Sequence, residues 1–186
     1  KNNIEVANVI RNAGMPVGKT LYVWGGGWNA ADTAAGETAT HIGIWPEWES
    51  YFNQNRQGYS YQAGKTAWER GERHWRFKGL DCSGYLGWII YNSVQEGRNA
   101  SGYVVSASNL AASLTQYGYG TATPCSPNSV FRPGDIVSIS GHCFLCLGQC
   151  SDGSVLILHS TPNGGVQVSG TVNGNGSSQA SRLAQS

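Results

Sequence analysis

The sequence predicts an α+β domain, with helices in the earlier part of the chain and an antiparallel sheet in the later part. Three observations carry this. Apolar residues recur at helical spacing near the start, the stretch from Cys82 to Val94 is apolar on nearly every face, and after Pro124 the apolar period changes to two.

At 186 residues with 40% hydrophobic side chains, the chain can bury one substantial core, so a single domain over 1–186 is expected. Twelve Lys and Arg against eleven Asp and Glu leave no electrostatic footprint for nucleic acid and no polybasic run for a membrane surface. No run of about 18 apolar residues exists, so no membrane span is expected, and the residues from Lys1 onward lack the apolar stretch of a signal peptide. Charged side chains make up only 12%, whereas Gly (26) and aromatic residues (11%) are plentiful, a balance that suits an extracellular, loop-bearing protein binding an extended polymer.

Ile4, Ala7, Ile10 and Ala13 predict a short amphipathic helix over 3–13, ended by Gly14-Met15-Pro16. Tyr22-Val23-Trp24 then enters Gly25-Gly26-Gly27, where three glycines free the backbone to approach another surface closely. Residues 28–79 hold ten of the twenty aromatic side chains and twelve of the 23 charged ones without a clean period. They read as an insertion packed on the main domain by its rings, or as a second small core, with short helices around Trp45–Phe52 and Thr66–Glu72.

The run from Cys82 to Val94 fits a helix buried in the domain centre, with Asp81 or Cys82 at its start. A further helix is expected from an N-cap at Ser108 through Leu110 and Leu114 to Tyr117, stopping at Gly118. After the Arg132-Pro133-Gly134-Asp135 turn, strands are expected over 136–139, 142–147, 155–159 and 166–168.

Five cysteines, Cys82, Cys125, Cys143, Cys146 and Cys150, leave at least one thiol outside any intrachain disulfide; Cys125 with Cys150 is one conceivable pair and buried free thiols are the other reading. Cys82 begins a helix, where unpaired amides and the helix dipole stabilise a thiolate, although a small hydrophobe in a core helix is the commoner fate of a lone cysteine. Of the four histidines, His41, His74, His142 and His159, the last two fall on neighbouring predicted strands. The connecting loop is expected to span 148–153, which sets His142 directly opposite His159 across the pair. A tight Asp152-Gly153 turn would instead set His159 opposite Cys146, roughly 13 Å from His142. On this alternation His142, Phe144, Cys146, Val155, Ile157 and His159 share one face, while Cys143, Leu145, Leu147, Leu156 and Leu158 share the other. Both faces are apolar, so the strands are expected to be covered on both sides. The CxxC spacing of Cys143 and Cys146 points to no metal, because residues three apart on a strand face opposite ways. Cys82, His142 and His159 as three zinc ligands with a water is an alternative.

Tyr22-Val23-Trp24-Gly25-Gly26, Asp81-Cys82-Ser83-Gly84-Tyr85, Arg132-Pro133-Gly134-Asp135-Ile136-Val137, Gly141-His142 leading to Leu147-Gly148, and Leu158-His159 follow one another in an order that resembles the NlpC-type papain-like cysteine peptidases of bacterial cell walls. The resemblance covers residues 1–28 and 80–170. It implies a circularly permuted papain-like fold whose nucleophile helix packs on an antiparallel sheet, with Cys82 as nucleophile, His142 as base and His159 as the residue that orients it. It further implies a secreted or wall-associated monomer, no cofactor, and peptidoglycan or muropeptide as substrate, cut between D-glutamate and the following diamino acid. The motif's Tyr22, Asp81 and Ser83 would hold the amine or backbone of the stem peptide, with Trp24 beside them; Asp81 also reads as a simple helix cap.

Two departures from the family pattern stand out. Residues 28–79 intervene where a short loop is usual, and would wall or lid the cleft. Cys143 and Phe144 replace the Val and Gly that usually follow the histidine. A wall-binding module with a vestigial triad, and acyl transfer to an amine instead of water, are the other readings of the same residues.

Overall fold

The computed structural model describes residues 4–28, 43–94, 103, 105–171 and 177–186. Among them are six α-helices: α1 (Val6–Gly14), α2 (Pro46–Asn55), α3 (Tyr61–Glu69), α4 (Cys82–Ser93), α5 (Leu110–Gln116) and α6 (Gln179–Leu183). Strands β1 (Ile136–Ile139), β2 (His142–Gln149), β3 (Val155–Thr161) and β4 (Gly165–Gly170) form one antiparallel sheet in chain order. The class is α+β, as the change of period requires.

Helix α4 is apolar all round because it is covered on several sides. Its Tyr85, Leu86, Trp88, Ile89 and Ile90 are buried in one cluster with Cys143, Leu145, Leu158 and Val166 of the sheet and Val9 and Ala13 of α1. Each large aliphatic side chain so buried contributes roughly 1.5–3 kcal/mol relative to exposure. Helix α1 is pinned by polar contacts as well: the Tyr85 hydroxyl donates to the Ala13 carbonyl at 2.7 Å, and the Asn12 amide donates to Ser93 Oγ at 3.0 Å. The buried stripe of α1 differs from the expected one. Ala7 is exposed while Val9 and Ala13 are buried, because a spacing of three drifts around a helix of 3.6 residues per turn and a spacing of four holds one face.

Among its described residues, the insertion joins this core through Trp28 and Trp48. Trp28 and Trp48 are 2% and 1% exposed and belong to the α4 cluster. Trp28 lies 4.1 Å from the ring of Tyr91, and Trp48 packs edge-on to Trp88 at 5.8 Å while its indole N–H donates to the Phe77 carbonyl at 2.8 Å. Residues 29–42, with His41, lie outside the described residues. The expected helix over Thr66–Glu72 is corrected: α3 begins at Tyr61, where Ser60 Oγ accepts the Gln62 amide, and the chain leaves it through Gly71 at φ 85°. Ser108 does not cap α5 either. It lies inside a 3₁₀ turn, Ala107–Asn109, and the Ala111 amide is taken by Ser138 Oγ of β1 at 2.9 Å.

The β2–β3 register also differs from the one expected. Leu145 pairs with Leu158 and Cys146 with Ile157, then a bulge at Leu147–Gly148 shifts the ladder so that Gly148 pairs with Leu156 and Gln149 with Val155. Counting back from Leu145, His159 faces Phe144, so His142 and His159 are diagonal neighbours on one face and not directly opposed. The two faces of the sheet hold separate clusters. Cys143, Leu145 and Leu158 face α4, whereas Val137, Cys146, Val155 and Ile157 form the smaller cluster behind, against Phe131 and Phe144. All five cysteines are free thiols.

The glycine turn meets the start of α4 at backbone contact. The Gly26 carbonyl accepts the Asp81 amide at 3.1 Å, and a Cβ on Gly84 would lie 2.2 Å from that same oxygen. A Cβ on Gly26 would in turn meet the Gly79 carbonyl at 2.6 Å. Gly84→Ala is therefore expected to cost about 1–3 kcal/mol in urea unfolding by overpacking. Gly14→Ala, with nothing within 4 Å of the new methyl, is expected to raise stability by about 0.5–1 kcal/mol. Equal stabilities of the two variants would show that the clamp does not exist.

Candidate active site

Cys82 is the first residue of α4, and its position is fixed by the residue before it. Asp81 caps the helix: its Oδ1 accepts the Gly84 amide at 2.7 Å and the Ser83 hydroxyl at 3.1 Å. With Gly84 satisfied by the cap, the amides of Cys82 and Ser83 are those a helix start leaves without an intrahelical acceptor. Cys82 is 6% exposed, and its sulfur lies 4.0 Å from the carbonyl of Gly141, the turn glycine just before β2.

From β2 and β3 come the two histidines. His142 Nε2 and His159 Nδ1 are 2.9 Å apart, their ring centroids 5.1 Å. His159 Nε2 lies 2.9 Å from Ser169 Oγ on β4, which also accepts the Gln167 amide at 3.1 Å. A polar chain thus crosses three strands from His142 through His159 to Ser169. Burial, together with the charge of His142, holds His159 down to about 4, so it is neutral at physiological pH. If His142 is protonated, its Nε2–H donates to His159 Nδ1, and His159 Nε2–H donates to Ser169 Oγ. Nδ1 of His142 is then the nitrogen left for the thiol.

The Cys82 thiol is lowered from 9.0 to about 5. The largest cause is a hydrogen bond from the Cys143 thiol, followed by the opposing effect of burial and then by hydrogen bonding and charge from His142. Cys143 is pushed up, by its hydrogen bond to Cys82, by burial and by the charges of Cys82 and Asp81. Cys82 is the member of the pair that ionises, because it sits at a helix start beside an imidazole while Cys143 is fully buried in a strand. Tyr22 is raised by burial and then by the charges of Asp81 and Cys82.

Of the residues the sequence singled out, His142 and His159 meet at 2.9 Å, Cys82 Sγ lies 4.0 Å from the carbonyl of Gly141, the residue before His142, and Asp81 and Ser83 are joined in the cap of α4. Trp24 is engaged by the insertion: its ring stacks on Tyr61 at 6.1 Å, and Lys65 Nζ lies 5.0 Å over its face. Tyr61 also meets Tyr22 edge-on at 5.6 Å, and the Tyr59 hydroxyl donates to the Tyr22 carbonyl at 2.8 Å. Helix α3 therefore packs on the Tyr22–Trp24 turn. Ser169, Gln167 and the Cys143 thiol were missed. Ser169 shares the His159 face two residues past its ladder partner Gln167, so alternation along β4 carried that signal.

Among the described residues, no group of three or more His, Cys, Asp or Glu side chains is arranged to hold a metal. His142 Nε2 and His159 Nδ1 are aimed at each other, and Cys143 and Cys146 lie on opposite faces of the sheet. No protein-family model, curated protein or solved structure matches the chain.

The pH dependence of Cys82 alkylation by iodoacetamide follows from the lowered thiol. Below about 5 the sulfur carries its proton and reactivity is lost as pH falls through that value; above it the thiolate is fully present. His142→Ala removes two of the lowering causes, so its midpoint is expected to move upward. A wild-type midpoint near the ordinary 9.0 would contradict the geometry.

Proposed function

We propose that this chain is a cysteine peptidase that hydrolyses peptidoglycan stem peptides or cross-bridges through an acyl-enzyme on Cys82. The observation that carries the proposal is the coincidence of a helix-start thiol, held in its ionised form, with an imidazole whose far nitrogen is bonded to a second, neutral imidazole. The order of the motifs and the packing of the nucleophile helix on an antiparallel sheet support a permuted papain-like arrangement of the NlpC type.

In this reading the Cys82 thiolate attacks the amide carbonyl and a tetrahedral oxyanion forms. The backbone amide of Cys82, one of the donors a helix start leaves over, faces that oxygen. His142 Nδ1–H protonates the leaving amine as the C–N bond breaks, leaving a thioester. His142, now neutral, takes a proton from water, and the resulting hydroxide releases the acid and frees the thiolate. His159 keeps the His142 ring turned toward the sulfur and accepts its Nε2–H; being neutral, it adds no charge of its own, and Ser169 fixes its tautomer in turn.

The substrate follows the family resemblance: the bond after D-glutamate in a stem peptide, with Tyr22, Asp81, Ser83 and Trp24 lining the approach. A secreted or wall-associated monomer fits that substrate. No helix among the described residues is long and apolar enough to cross a membrane.

Purified protein incubated with peptidoglycan is expected to release fragments whose masses place the cut within the stem or cross-bridge. Cys82→Ala is expected to release none, and His142→Ala to lower the rate by at least about 10²-fold. Unchanged release by Cys82→Ala would end the cysteine mechanism. Inhibition by a chelator with restoration by zinc would favour the metal alternative, binding without any cleavage the wall-binding module, and fragments joined to an added amine the transferase.

A further inference from the structure

The two outer edges of the sheet differ. At β4 the chain covers its own edge: the Val166 carbonyl accepts the Gly18 amide at 3.1 Å, and the Val166 amide donates to the Thr20 carbonyl at 2.9 Å. At β1 no further strand pairs among the described residues. Cys146 of β2 bonds to β1 through both its amide and its carbonyl, with Asp135 and Gly134 as partners. Bonded residues alternate along an antiparallel ladder, so Val137 and Ile139, opposite Phe144 and His142, also turn their peptide groups toward β2. Those of Ile136 and Ser138 therefore point outward.

A groove of about 840 Å³ runs along this edge. It is bounded by α5, whose Ala111 amide is held by Ser138 Oγ, and by the exposed run 121–124, which belongs to no strand. At the Ile136 end it shares Val6, Leu114 and Ile136 with an apolar cavity of about 560 Å³ that reaches Val9 and Ile90. At the other end is Ile139, two residues before the Gly141 carbonyl that lies 4.0 Å from the Cys82 sulfur.

We propose that this groove binds an extended peptide, whose backbone pairs with Ile136 and Ser138 and whose apolar side chain enters the cavity beside Leu114, and that it holds one arm of the substrate of Cys82. A row of outward amides and carbonyls is matched by another extended backbone, which is what selects a peptide. The charged side chains lining the groove, Arg132 and Asp135, are opposite in sign, so a neutral peptide fits. Ile136 and Ile139 are three residues apart, roughly 10 Å along the strand, which sets the apolar side chain about three residues or more from the bond at Cys82. The assignment to the substrate rests on the peptidase reading; the peptide binding does not.

The test uses the full chain as Cys82→Ala and two acetylated, amidated pentapeptides, Thr-Leu-Thr-Leu-Thr and Thr-Asp-Thr-Asp-Thr. The first is expected to shift the backbone amide NMR signals of Ile136 and Ser138 saturably and to slow their hydrogen exchange, and the second to do neither. Val6→Asp and Ile139→Asp, at groove positions 49% and 48% exposed, are expected to weaken the binding by about tenfold or more, whereas Leu183→Asp, 51% exposed on α6, leaves it unchanged. In the active chain the two groove variants are expected to raise KM for peptidoglycan fragments more than they lower kcat. Absence of shifts at Ile136 and Ser138, equal binding of the Asp peptide, or unweakened binding by both groove variants would overturn the proposal. So would sedimentation as a dimer that Ile139→Asp dissociates, which would assign the edge to a second copy of the chain. Peptide binding with the expected variant effects, but no cleavage of any wall fragment, would support the peptide groove and overturn its assignment to a substrate of Cys82.

Discussion

The contact between the Gly26 carbonyl and the start of α4 is the constraint on which the site depends. That oxygen accepts the Asp81 amide at 3.1 Å and occupies the space where a Cβ of residue 84 would be. It presses a glycine turn onto the helix end that carries Cys82, and Asp81 completes the join by capping Gly84. The sheet reaches the same end from the other side: Ser160 Oγ donates to the Leu80 carbonyl at 2.6 Å, and Gly141 approaches the sulfur. The start of α4 is thus held between three backbone segments. Under the proposed reading, this join would supply the preorganisation that a charged nucleophile needs, since a thiolate in a loosely held site would be stabilised by water and not by the protein.

The insertion is tied to both ends of this arrangement. Trp28 and Trp48 anchor it against the far part of α4, while Tyr59 and Tyr61 fasten α3 to the Tyr22–Trp24 turn. Cations lie over rings of both the turn and the insertion, Lys65 over Trp24 and Lys78 over Tyr51 and Trp75. Under the proposed peptidase reading, a wall of this kind would restrict which substrate conformations reach Cys82. It also explains why the segment lacks a clean apolar period: its rings bind to several partners around a helix end and do not form one regular face.

Much of this was legible in the residues, and what was not has identifiable causes. The limits of α4 and the start of β2 followed from an apolar run and a turn glycine, which act locally. The contact between His142 and His159 was also foreseen, but through the wrong register. A bulge at Leu147–Gly148 adds a residue that no alternation pattern reveals, and the histidines meet diagonally because long rings reach further than a ladder partner. The cap of α5 was misread because Ser138, a residue of another element, supplies the acceptor that Ser108 was expected to provide. The start of α3 was placed five residues late because Gly64 interrupts its pattern; the structure shows that glycine buried in the helix beside Trp75. Cys143 was seen as a departure from the family's usual residue, yet its nearness to Cys82 needs the packing of strand on helix, which sequence spacing alone does not supply.

The central claim is that the sulfur of Cys82, ionised at a helix start and paired with His142, becomes the covalent carrier of the substrate. The most direct measurement is acid quenching of the protein during turnover of a purified stem peptide, followed by mass spectrometry of the peptide that contains Cys82. The expected result is a thioester whose added mass equals the acyl half of the substrate, absent from Cys82→Ala. Turnover that proceeds with no adduct at any quench time, and equally well in Cys82→Ala, would contradict it.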